Sequence, residues 1–179
     1  MTSAGNRREK TIDRSRARGQ TLAMRFALIL LLSLFALPAL AQGWGHYDNA
    51  RFGYGLDIPP GFVGQGESGN GDGQAFALAG KPIALLVWGG LLAMTDFEGE
   101  VAARLRDDAQ AGWSLTYQAV TPRWASWSGQ KGSRILYRRL VALCDGASYG
   151  AFSAEYSIAD RVMMDAAVER MAGSLRGAC

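Results

Sequence analysis

Residues Tyr47 to Phe62 read YDNARFGYGLDIPPGF, and this stretch decides the fold. Phe52, Tyr54, Leu56 and Ile58 alternate with Gly53, Gly55 and Asp57, the period of a strand with one buried face. Pro59 and Pro60 lack the amide hydrogens that a ladder needs, so the strand stops there. Gly61 permits the turn that follows. The chain is expected to enter its sheet here, through an extended segment closed by a Pro-Pro-Gly corner.

Just upstream, residues 24 to 41 read MRFALILLLSLFALPALA, the layout of a secretion signal. Arg25 supplies the positive start, Phe26 to Leu37 the apolar run, and Ala39-Leu40-Ala41 the small-residue cleavage site. The run is shorter than the roughly 20 residues that span a bilayer, and Pro38 interrupts it. The sequence thus predicts cleavage after Ala41, a mature chain starting at Gln42, and a periplasmic or secreted protein with no stable membrane insertion. Residues 1 to 23 read as a disordered polar leader, or as sequence preceding a true start at Met24. Residues 43 to 179 form the expected single domain.

The formal charge of +3 is misplaced as a guide to partners. Residues 1 to 41 hold seven of the 19 Lys and Arg but only two acids, Glu9 and Asp13, which leaves 12 basic against 14 acidic residues beyond them. Nucleic-acid binding needs a basic face on the folded part, and the composition there supplies none.

Downstream, residues 64 to 73 read as a Gly-rich turn region. Gln74 to Leu78 and Ile83 to Trp88 read as strands. Residues 95 to 110 predict a helix opened by a Thr95/Glu98 capping box. Phe97, Val101 and Leu105 form its buried stripe, with Glu100, Arg104, Asp107 and Asp108 in water, and Gly112 closes it. Four strands follow, over residues 113–120, 123–128, 133–143 and 149–157, with Gly129 to Gly132 as the turn between the middle pair. Asp160 is the expected cap of a last helix whose Met164, Val168, Met171 and Leu175 share one face.

The Phe-Gly-Tyr-x-Leu-Asp-Ile-Pro-x-Gly-Phe wording of residues 52 to 62 resembles the first strand of PsbP-like domains. The Asn70–Gly73 hairpin, the hairpin from Ser128-Gly129 to Tyr137, and Glu155-Tyr156 before an amphipathic helix fit the same pattern. The resemblance covers most of residues 47 to 176. It implies an α+β fold, an antiparallel sheet of about six strands covered by helices in an α/β/α sandwich, with no shared activity.

Several catalytic patterns fail on context. Gly64-x-Gly66-x-x-Gly69 matches a dinucleotide fingerprint, but no helix N-terminus follows to meet a pyrophosphate, and the segment reads as a loop. Gly146-x-Ser148-x-Gly150 matches a nucleophile elbow, but a strand follows it, and the only imidazole, His46, lies upstream in a segment near the cleavage site that is expected to be mobile. Ser128-x-x-Lys131 falls in a predicted hairpin instead of on a helix. Asn70-Gly71-Asp72-Gly73 resembles part of a calcium loop, but the first ligand position holds Ser68, and Ala79 stands where a bidentate Glu is required. One His and two Cys do not make a zinc site of usual composition. No catalytic residue, metal or cofactor is therefore expected.

These readings predict a non-catalytic binding or accessory module of the envelope, with an unknown protein or small molecule as its ligand. Two alternatives stay open. One is a hydrolase using Ser148 or Cys144; the other is a lipid- or cell-wall-associated protein, suggested by Trp113, Trp124 and Trp127. Export exposes Cys144 and Cys179 to an oxidising compartment, where the pair can form a disulfide if geometry permits.

Overall fold

The computed structural model describes residues 43–177. Five strands come first: β1 (Gly45–Asn49), β2 (Tyr54–Ile58), β3 (Phe62–Glu67), β4 (Gly73–Leu78) and β5 (Ala84–Leu91). Helix α1 (Phe97–Gln110) leads into β6 (Ser114–Val120), β7 (Trp124–Lys131), β8 (Arg134–Ala142) and β9 (Ser148–Ser157). A turn of 3-10 helix (Ile158–Asp160), α2 (Arg161–Ser174) and the short β10 (Arg176–Gly177) follow. The α+β architecture and its antiparallel sheet are as expected. The strand count is not, because the main sheet has seven strands, ordered β3-β4-β5-β9-β8-β7-β6, and a second sheet has three, ordered β1-β2-β10.

The opening stretch is a hairpin, not one strand. Tyr47 and Asn49 belong to β1, and residues 50–53 turn the chain before β2 begins at Tyr54. Asn49 makes the turn: its side-chain oxygen accepts from the Phe52 amide and its carbonyl from the Gly53 amide. Gly53 sits at φ +64°, a left-handed conformation that suits glycine. The expected loop at residues 64–73 is also corrected, since Gly64 and Gly66 lie on β3. Its side chains are largely exposed, so no hydrophobic period marked it.

The pleat of β9 shows how the two faces of the main sheet are covered. Tyr149 and Ala151 face α1, where Phe97, Val101, Trp127 and Leu140 complete a core. Phe152, Ala154 and Tyr156 face the other way, toward the small sheet and α2, into a larger core with Leu56, Met164 and Met171. Tyr54 lies across Gly150 and Gly89 so closely that a Cβ on either would meet its side chain at 2.8 and 2.7 Å.

Several local expectations are corrected. Asp96, not Thr95, caps α1, with Oδ1 accepting from the Gly99 amide at 2.7 Å. Glu100 and Asp108, expected in water, are each 3% exposed. Glu100 accepts from the Ala93 amide and from Arg104, whose guanidinium also donates to the Tyr149 hydroxyl. Asp108 accepts from the Trp127 indole at 2.7 Å and pairs with Arg138 at 3.1 Å. Asp160 precedes α2 but makes no capping bond with its side chain, which binds the Lys81 ammonium at 2.6 Å instead. Gly112, at φ +88°, does close α1, and Met164, Val168, Met171 and Leu175 are all buried.

Candidate functional site

Helix α2 shields only part of its face of the main sheet. Beyond β9 the sheet continues through β8, β7 and β6, leaving an open groove of about 650 Å³ between helix and strands. Tyr156 and Tyr137 form its floor, Ser128 and Thr116 continue it toward the sheet edge, and Tyr117 stands at the lip. Tyr117 is about half exposed. The helix wall presents Arg161, Asp165 and Glu169.

Wall and floor are tied together by one carboxylate. Asp165 accepts from the Tyr156 hydroxyl at 3.1 Å and from Arg161 Nε at 3.1 Å. Burial, then the Asp165 charge, raises the Tyr156 pKa above the usual phenol value, so Tyr156 remains a hydrogen-bond donor at physiological pH. Tyr137 is held flat against Phe152, with ring centroids 5.8 Å apart. The Thr116 and Ser128 hydroxyls lie 3.3 Å from each other. This is an aromatic floor with fixed donors and acceptors, a lining suited to binding.

The residues singled out in the sequence are dispersed. Ser148 is buried and its hydroxyl donates to Asp145 Oδ2 at 2.6 Å, while Asp145 Oδ1 accepts the amides of Ala147 and Ser148. The Ser148 hydrogen bond, helped by those amides, lowers the Asp145 pKa. The pair thus forms the β8–β9 turn. Cys144 lies in the same turn. Cys179 lies outside the described residues, and so does half of the expected disulfide.

His46, expected in a mobile segment, is on β1. Its Nδ1 lies 3.0 Å from Asp57 Oδ1, in a different sheet from Ser148. Ser128 and Lys131 both sit on β7, and Lys131 donates to the Ala111 carbonyl. In the Ser68–Gly73 turn, Asp72 is engaged by Arg51 and Asn70, and the Ser68 hydroxyl accepts the Asp72 amide. Trp127 is fully buried, and Trp124 packs beneath the Arg139 guanidinium, 4.6 Å from the ring centroid. The groove itself was missed. Its only trace in the sequence is the polar, aromatic wording of Thr116-Tyr117 and Ser128-Gly129-Gln130.

The sequence matches no protein-family model and no curated protein sequence. Solved structures, however, share this arrangement of sheet and helices. Cyanobacterial PsbP (CyanoP) from Synechocystis sp. superposes with a TM-score of 0.59 at 12% identity, over 80% of this chain and 97% of that one. The Ran-binding protein Mog1p of Saccharomyces cerevisiae superposes with a TM-score of 0.57 at 8% identity, over 76% of this chain and 96% of its own. The fold is therefore PsbP/Mog1-like, which agrees with the resemblance read in residues 47 to 176.

Proposed function

We propose that this chain is an exported envelope protein, periplasmic or secreted, acting as a non-catalytic binding or accessory module. A segment of a partner protein enters the groove between α2 and strands β6 to β8. The observation that carries this reading is the groove itself, where Tyr137 and Tyr156 offer aromatic surface beside the fixed polar groups of Asp165, Arg161 and Ser128. The same fold serves in the Ran-binding protein Mog1p, which supports an accessory role without naming a partner for this chain.

The test places a photo-activatable cross-linker at Glu169 or Gln130 in the groove, with Val63 on the far edge strand as the control. Adducts to one protein from both groove positions, absent at Val63, support the reading. Equal labelling at all three positions defeats it. The hydrolase alternative is tested by Ser148→Ala. The turn explains the contacts of the Ser148 hydroxyl, so the variant is expected to keep the protein's phenotype provided that it folds.

A further inference from the structure

Strand β6 is an outer strand of the main sheet, and among the described residues no strand lies beyond it. At its turn into β7 the Thr121 amide bonds the Trp124 carbonyl at 2.9 Å. Antiparallel ladders alternate, so Ala119 and Tyr117 exchange bonds with Ser126 and Ser128 on β7. The amides and carbonyls of Gln118 and Val120 therefore point to the open edge.

Such an edge is a template for another strand, and proteins usually blunt it with charge, proline, a bulge or brevity. The opposite outer strand, β3, has Glu67 and a register shift between Gly64 and Glu67. Strand β6 has no charged residue and no proline, and its irregularity is confined to the Leu115–Tyr117 end. Tyr117 and Val120 are about half exposed beside that edge.

We propose that β6 pairs with β6 of a second copy of this chain, antiparallel about a two-fold axis at Ala119. The register follows from the ladder. Outward-pointing residues must meet each other, so Gln118 lies opposite Val120 of the second copy, and Ala119 faces Ala119. Tyr117 then lies opposite Thr121, an aromatic beside a β-branched residue, which is a favourable cross-strand pair. A strand that pairs with itself sets its own charges close together, and β6 has none to repel. Thr116 falls opposite Pro122, which has no amide to give, and the ladder ends there.

The dimer would join two seven-stranded sheets edge to edge. The two grooves, each with Tyr117 at its lip, would meet across the axis. The pairing does not depend on what the groove binds. One short ladder covers less than the roughly 1,000 Å² typical of a stable interface, so association is reversible and concentration-dependent.

Sedimentation of the purified protein from micromolar to near-millimolar concentration is expected to show the mass doubling. Ala119→Lys, which sets two ammonium groups face to face, is expected to remain monomeric throughout while keeping the wild-type circular dichroism. A second variant reads the register. Residue 119 lies opposite its own copy in a non-hydrogen-bonded pair, where Cα atoms stand about 4.5 Å apart, within reach of a disulfide. Ala119→Cys is therefore expected to cross-link the dimer on mild oxidation, and Val63→Cys on β3 is not. A wild-type protein that stays monomeric at every concentration overturns the proposal. So does a dimer that Ala119→Lys leaves intact and Ala119→Cys fails to trap. Neither result bears on cross-linking from Glu169 or Gln130, so the groove reading is judged separately.

Discussion

Asp108 holds two groups that the core would otherwise leave uncompensated, the Trp127 indole and the Arg138 guanidinium. Burial pulls the Arg138 pKa below its ordinary value, and Asp108 acts against that pull. Removing one partner of a buried pair strands the other, so Asp108→Ala is expected to cost about 3 kcal/mol, read from urea unfolding midpoints. Asp108 was expected in water, although it lies seven residues after Val101, on the same stripe of α1. Its charge argued for water, and the partners that settle the matter sit on distant strands that no local pattern connects to it. Asp57 offers a pH test. Its hydrogen bond from His46, then the one from Arg170, lowers its pKa below the ordinary carboxylate value. A depressed carboxylate contributes stability above its unfolded pKa, near 3.9, and that stability is lost as pH falls through the folded value. Acid titration of unfolding should therefore show a shallower fall for Asp57→Asn than for the wild type. Equal slopes would refute the linkage.

Among the elements, those with an apolar period were legible and those without one were not. Strands β4, β5, β7, β8 and β9 fall within a few residues of their expected places, because each has apolar residues with two-residue spacing. Strand β1 turns Tyr47 and Asn49 inward, and a buried Asn gives no hydrophobic signal; β3 buries almost nothing. Helix α1 was located by Phe97, Val101 and Gly112, but its cap was placed one residue early at Thr95. The Asp96 carboxylate satisfies an amide of the first turn, and Asp96→Ala is expected to cost about 1 kcal/mol, measured by thermal or urea unfolding. Thr95→Ala, outside that bond, should change much less. The packing of β2 on the main sheet supplies another test. A methyl at residue 150 would enter the Tyr54 ring, so Gly150→Ala should cost about 1–3 kcal/mol.

For the whole molecule, the fold class could be read because the turn chemistry and hydrophobic periods of residues 47 to 176 agree with one another. The groove could not, because it is assembled from β6, β7, β8, β9 and α2 and exists only where the helix stops short of the sheet edge. Export predicts a mature terminus at Gln42, which mass spectrometry of the natural protein checks; an intact apolar segment there would refute it. A Cys144–Cys179 bridge predicts that non-reducing peptide mapping recovers the two as one linked fragment, and the closed loop would add about 4 kcal/mol in the chain-entropy account. The small sheet has a consequence for the order of events during synthesis. Strand β2 is flanked by β1 on one side and by β10 on the other, so Gly55 pairs with Arg176. The core around Leu56 likewise needs Met164, Met171 and Leu175. A ribosome that has made the first hairpin must produce more than a hundred further residues before the third strand of its sheet and the helix that covers it exist. Until then the nascent chain is committed to no finished core, which is the condition in which a polypeptide can still be threaded through a narrow channel.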